Sequence, residues 1–248
     1  MANVLDGIAA LREGLRLIRQ PGLRRYVLFP LLMNILFLGL SLYLLVGWFG
    51  GWLEGWMAAL PDWLAWLETL LWLLFSLLAL LLVFFGFSLL ANLILAPFNG
   101  LLAEAVENRL RGTAMPDTSF IALLRQLPGI LLDELGKLFY FAGLALLVWL
   151  LSWIPVLNLF APLAWFALAA WVMVVQYADY PMGNHGMRFG PQRRLLRRHP
   201  MASLGFGGAT AVLTMIPLLN FIVIPAAVAG ATVLWYRHLQ ATSESTHE

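Results

Sequence analysis

The sequence predicts an all-α integral membrane protein with two full transmembrane helices, two re-entrant, half-membrane helical hairpins with Pro-x-Leu-Asn tips, and amphipathic cytoplasmic helices. Three observations carry this. Long stretches lack any charged residue, the 15 Lys and Arg residues are confined to particular segments, and one proline-containing tip sequence occurs twice. With 62% of residues hydrophobic and 11% charged, against about 25% charged in a soluble domain, there is too little polar surface to face water. Lipid is the solvent that such a chain requires.

Composition also removes function classes. A net charge of +2 is too small for a nucleic-acid footprint. The absence of cysteine removes disulfide frameworks, thiolate metal sites and cysteine nucleophiles. No short apolar region with a small-residue cleavage signature precedes Tyr26, so no removable signal peptide is expected.

Residues 1–20 place Val4, Ile8, Leu11, Leu15 and Ile18 at helical spacing, with Asp6, Arg12, Glu13, Arg16 and Arg19 elsewhere, which predicts an amphipathic surface helix. Gln20-Pro21-Gly22 ends it. Residues 26–49 are uncharged and exceed the ~20 needed to cross the hydrocarbon core, giving the first span. A loop over Gly50–Leu67 holds Glu54 and Asp62 but no basic residue, and Trp52, Trp56, Trp63 and Trp66 suit a headgroup level. Residues 69–97 form the second span, ending at Pro97, and 98–136 are expected to be cytoplasmic amphipathic helices. All Lys and Arg residues lie outside 26–108, so the positive-inside rule assigns both ends of this pair, and both termini, to the cytoplasm.

The rest of the chain must then leave the cytoplasmic side and return to it. Residues 138–175, divided by Pro155 and Pro162, offer arms of about 14 residues, or ~21 Å of helix against a ~30 Å core, which predicts a first hairpin penetrating partway. After a cytoplasmic loop at 176–200, residues 201–238 repeat the pattern around Pro217 and Pro225, leaving 239–248 as a flexible tail. Ile154-Pro155-Val156-Leu157-Asn158 matches Ile216-Pro217-Leu218-Leu219-Asn220. Irregular backbone at membrane depth needs burial in protein or a wet cavity, so the two tips are expected to pack together around a polar path. Two ordinary spans kinked by their prolines are the alternative.

Gln20-Pro21-Gly22-Leu23-Arg24-Arg25 is the sharpest candidate site. Proline ends one helix, glycine turns the chain, and the next helix offers its first N–H groups beside two guanidinium forks, which together suit a tetrahedral oxyanion. Topological anchoring on lipid phosphate is the competing role. Glu107 and Arg111 stand at i,i+4 in the favourable order, which predicts a surface pair or, if the helix lines the cytoplasmic mouth, an ion filter. Asn34, Asn92, Asn99, Asn158 and Asn220 are polar residues at or near membrane depth, fit for interhelical hydrogen bonds or for lining a path. Arg193, Arg194, Arg197 and Arg198 share one side of a short helix suited to anionic headgroups. Asp179 and His185 lack a third ligand, so no metal is expected. No nucleophile elbow, HExxH or phosphate-cradling glycine loop is present, so neither enzyme activity nor a cofactor is expected.

Pro21-Gly22-Leu23-Arg24-Arg25, the Tyr177–Pro181 stretch followed by Asn184-His185-Gly186, and the paired Pro-x-Leu-Asn tips together resemble the CysZ sulfate transporter family of bacterial inner membranes. The resemblance covers nearly the whole chain up to Leu239. It implies a sulfate site at Gly22, Leu23, Arg24 and Arg25, with Glu107 and Arg111 near the ion path. It also implies two long spans with two partial hairpins, homo-oligomers, and sulfate supply for cysteine biosynthesis. Uptake would be by a channel or an ion-coupled carrier without ATP hydrolysis, with membrane lipids as the other partners. The competing class is a non-transporting scaffold or anionic-lipid-binding protein.

Overall fold

The computed structural model describes residues 2–58, 61, 66–82, 88–112 and 120–240, and these contain helices but no strand. They fall into two compact units, one made from Met1–Arg25 with Asn99–Glu248 and the other from Tyr26–Phe98. Among the described residues, four helical segments are long and apolar enough to cross a membrane: Arg25–Trp56, Leu132–Leu151, Ala161–Asn184 and Ile222–Leu239.

In the smaller unit, α2 (Arg25–Met57) is continuous and α3 (Trp66–Leu82) returns beside it. Phe49 stacks on Phe75 with ring centroids 3.8 Å apart and meets Trp72 edge-on at 5.0 Å. Leu32, Ile35, Leu36, Leu40 and Leu44 are all exposed, a surface that only lipid or apolar protein satisfies. The expected loop at Gly50–Leu67 is shorter than the charge pattern implied. Trp52 and Trp56 ride on the last turns of α2 and Trp66 opens α3, while Asp62 and Trp63 lie outside the described residues. Glu54 does not stop a helix, and the helix-breaking residue arrives only at Pro61. The second expected span falls on α3 and the first part of α4 (Ser88–Arg111), with 83–87 outside the described residues. α4 runs through Pro97.

The larger unit is organised around α10 (Pro217–Leu234), which packs against α1 (Val4–Leu17), α7 (Ala161–Asn184) and α9 (Pro200–Thr214). Asn3 caps α1 by accepting from the Asp6 N–H at 3.0 Å, and the Asp6 carboxylate accepts from the Asn3 N–H at 2.7 Å, a capping box worth about 1 kcal/mol. α1 docks through small residues as well as through part of its apolar stripe, of which Leu11 is buried. Val4 and Ile8 are exposed, and the buried face is Gly7, Ala10, Leu11, Gly14 and Leu17. Glycine lets the backbones touch: a Cβ built at Gly7 would stand 2.1 Å from the Ala202 carbonyl oxygen, and one at Gly14 would stand 2.2 Å from that of Ala226. Helices that rely on small residues in this way are typical of membrane interiors. Arg237 then clamps Glu13 through two 2.6 Å contacts, in the π-helical turn Trp235–Leu239 that follows α10.

α5 (Phe120–Leu151) is continuous through Lys137, so the helix that carries the first uncharged arm, residues 138–151, is longer than that arm, and Asp133, Glu134 and Lys137 lie within it. The physical reason is mutual neutralisation. Lys137 Nζ sits 2.8 Å from Asp179 Oδ2 and 2.7 Å from Glu134 Oε1, while Gln192 donates to the other Asp179 oxygen. A paired charge need not leave the protein. α7 likewise continues to Asn184, into the stretch expected to be loop, turns at Gly186 with φ +70°, and leads into α8 (Phe189–Arg198).

The two tips share their geometry. Ile154 and Ile216 are both extended N-caps (φ −84°, ψ 118° and φ −95°, ψ 106°), each followed by proline at the first helical position. Beyond that they diverge: the first continues as the single turn α6 (Pro155–Asn158) and breaks, whereas α10 runs through Pro225. The expectation of packed tips fails at α6, which has no buried residue; Val156 is 75% and Leu159 79% exposed. Two backbone bonds close the turn locally. The Asn158 N–H donates to the Ile154 carbonyl at 2.8 Å and the Phe160 N–H to that of Leu157 at 2.9 Å.

Candidate functional site

The pre-span turn is built outward from one buried side chain. After α1 ends, the Gln20 N–H donates to the Leu17 carbonyl, and Gly22 adopts φ +91°, a left-handed conformation that favours glycine. No neighbouring atom would meet a Cβ at Gly22, so the backbone angle alone selects the residue. Leu23, 4% exposed, anchors the turn in the protein, and Arg24 and Arg25 are left exposed at the start of α2. One expectation changes. The N–H groups of Leu23 and Arg24 both donate to the Gln20 carbonyl at 3.2 Å, so the turn uses donors that the sequence reading had offered to an anion. Arg24 makes no ion pair among the described residues. The turn therefore carries the exposed Arg24 guanidinium on a fixed base.

Glu107 is fully buried, not part of a surface pair. The inward face of α4 is Leu102, Ala103, Val106 and Glu107. Arg111 donates from Nε to Glu107 Oε1 at 2.8 Å and brings Nη2 to 2.6 Å, while His185 Nε2 lies 2.9 and 3.0 Å from the two carboxylate oxygens. An ionised carboxylate only accepts, so Nε2 is the protonated ring nitrogen. The His185 ring rests 5.5 Å from that of Trp235, and the Arg111 guanidinium sits 5.7 Å over Tyr236. Burial opposes ionisation of Glu107, but the His185 hydrogen bond and charge, together with those of Arg111, hold its carboxyl below the usual value.

Its contribution to stability is therefore complete above the ordinary carboxylate range and disappears as the pH falls through the depressed value. Thermal unfolding of the detergent-solubilised protein is expected to weaken below about pH 4, and Glu107→Gln to flatten that acid limb. An unchanged limb in the variant would remove Glu107 as its source.

Two further bonds tie α4 to the end of α7. Asn99 donates to the Tyr180 hydroxyl at 3.2 Å, and Asn184 donates to the Gly100 carbonyl at 3.0 Å. The Tyr177–Pro181 and Asn184-His185-Gly186 stretches thus hold α4 in place. Sequence reading missed His185 as the partner of Glu107, since 78 residues separate them and no local spacing connects them. It also considered Asp179 beside His185; they serve different clusters, and no group of three metal-ligating side chains occurs among the described residues. Asn158 is exposed on its tip, Asn220 is half-buried on the other, and the side chains of Asn34 and Asn92 lie outside the described set. On α8, Arg197 donates to the Tyr140 hydroxyl at 2.9 Å and Arg193 stacks 4.7 Å over the same ring, so part of the basic run has partners within the protein.

Comparison with known proteins places this geometry in context. Residues 10–225 match the model of the family described as sulfate transporter CysZ/etoposide-induced protein 2.4. Among the similar proteins, the sulfate transporter CysZ of Pectobacterium atrosepticum is 42% identical, covering 96% of this chain and 88% of that protein. That of Pseudomonas fluorescens is 45% identical over 95% of each chain, and that of Salmonella typhimurium is 40% identical over 93% of this chain and 91% of its own. These names denote transporters rather than enzymes. With a family model spanning most of its length and relatives similar from end to end, the chain belongs to the sulfate transporter CysZ/etoposide-induced protein 2.4 family.

Proposed function

We propose that this protein carries sulfate inward across the bacterial inner membrane and supplies it to cysteine biosynthesis. The observation that carries the reading is similarity at 40–45% identity, along nearly the whole chain, to proteins named sulfate transporter CysZ. The turn at Gly22, Leu23, Arg24 and Arg25 captures the dianion, because guanidinium forks match oxyanion geometry and Leu23 fixes their base. Their exposure suits transport: an ion held by solvated arginines binds well enough to enter and weakly enough to leave. Glu107, Arg111 and His185 form a charged post beside the path, with Asn34, Asn158 and Asn220 as polar positions along it. The sequence holds no ATP-binding motif, so flow is by a channel or an ion-coupled carrier, in a homo-oligomer with cytoplasmic termini.

Radiolabelled sulfate uptake into proteoliposomes containing only this protein tests the function, with empty liposomes as control. Uptake supports the reading; no uptake by correctly inserted protein favours a lipid-binding scaffold.

The re-entrant arrangement of the two helical pairs belongs to the same proposal. Because the chain has no native cysteine, single cysteines at Asn158 or Asn220 report depth cleanly. Both are expected to resist a membrane-impermeant thiol reagent added from the periplasm, and ready labelling would replace the hairpins with full spans.

A further inference from the structure

We infer that the groove between α1 and α9 is a binding site for an anionic phospholipid, one acyl chain lying in the groove and the phosphate on Arg12. The groove encloses about 490 Å³, and its walls are Val4, Ile8 and Leu15 of α1, Phe166 of α7, and Leu204 and Val212 of α9. Close backbone contact forms its base, since a Cβ at Gly205 would stand 2.3 Å from the Val4 carbonyl oxygen. Its volume falls within the ~300–1,000 Å³ of small-ligand pockets, and an apolar slot in a membrane protein fits an acyl chain rather than water.

Charge selects the headgroup. Arg12 is the one charged residue among the groove's lining, Arg16 follows it on α1 at i+4, and Arg19 stands in the turn just past the helix. All three are exposed, and none has an ion pair among the described residues. The acidic residues of α1 cannot neutralise them. Asp6 is held in the capping box, and Glu13 is clamped by Arg237. Adjacent like charges on one helix face repel, and an anionic headgroup at the cytoplasmic leaflet relieves that repulsion. The basic stripe of a surface helix commonly meets lipid, but here it edges a slot that holds the lipid's tail as well.

The test offers the purified protein equal amounts of phosphatidylglycerol and phosphatidylcholine and reads retained lipid by native mass spectrometry. Wild type is expected to retain one phosphatidylglycerol in preference. Arg12→Ala should reduce that preference about fivefold, and Val212→Trp, which fills the groove, should abolish retention. Equal retention of both lipids by wild type, or undiminished phosphatidylglycerol on Val212→Trp, overturns the inference. A photoreactive benzoylphenylalanine at exposed Val212 decides independently of whether the filled variant folds. Crosslinking to phosphatidylglycerol supports the site, and crosslinking to a second copy of the chain overturns it.

Discussion

Replacing Arg24 and Arg25 together by alanine is expected to abolish sulfate binding while leaving the protein inserted and folded. Both side chains are exposed, and the turn is fixed by the buried Leu23 and by two backbone bonds to the Gln20 carbonyl, none of which the substitution removes. Hydrogen bonds to charged groups contribute about 1.5–3 kcal/mol each, so losing one from each arginine weakens binding roughly 100-fold or more. Isothermal titration with sulfate measures the loss, and the thermal unfolding midpoint checks the fold. Unchanged affinity would move the capture site elsewhere without touching the transport reading. Loss of affinity with an unchanged midpoint would assign sulfate capture to this turn.

Gly14→Ala is expected to cost the fold about 3 kcal/mol or more, read as a large drop in thermal unfolding midpoint or as failure to elute as a single species. The new Cβ would lie 2.2 Å from the Ala226 carbonyl oxygen and 2.4 Å from the Gly230 nitrogen, both backbone atoms of α10. No rotamer change relieves a backbone clash, so α1 and α10 must separate. Alanine's better helix propensity offsets at most ~1 kcal/mol. Gly39→Ala is the matched control, because nothing lies within 4 Å of its added Cβ, and it should be neutral or slightly stabilising. Equal effects at the two positions would mean that α1 does not dock through Gly14.

The contrast between these glycines shows what the sequence could reveal. Helical spacing located α1 and its exposed arginines, but hydropathy did not reveal that Gly7 and Gly14 belong to the buried face, since it weighs side chains and gives no value to close backbone approach. Arg24 and Arg25 were legible because Pro21-Gly22 punctuates the chain next to them, while the use of the Gln20 carbonyl as acceptor was not. Glu107 and Arg111 were legible as a local pair. Their burial was not, because it depends on His185, and that contact is made by tertiary packing. Lys137 marked the end of an uncharged stretch but not the end of a helix, and its pairing with Asp179, 42 residues away, was not legible from local spacing.

The docking of α1 also sets an order of events during synthesis. Its seat is made by α9 and α10, and the clamp from Arg237 to Glu13 joins residues 224 positions apart. At about 5–20 residues per second, the ribosome releases the first helix on the order of 10–40 s before the helix that receives it. Throughout that interval Gly7 and Gly14 have no backbone to rest against, so the N-terminus stays open to proteases and holdase chaperones. Closure of the larger unit therefore reports that translation has reached the C-terminal helices, and a chain cut short before α10 displays an undocked N-terminus as the mark of its incompleteness.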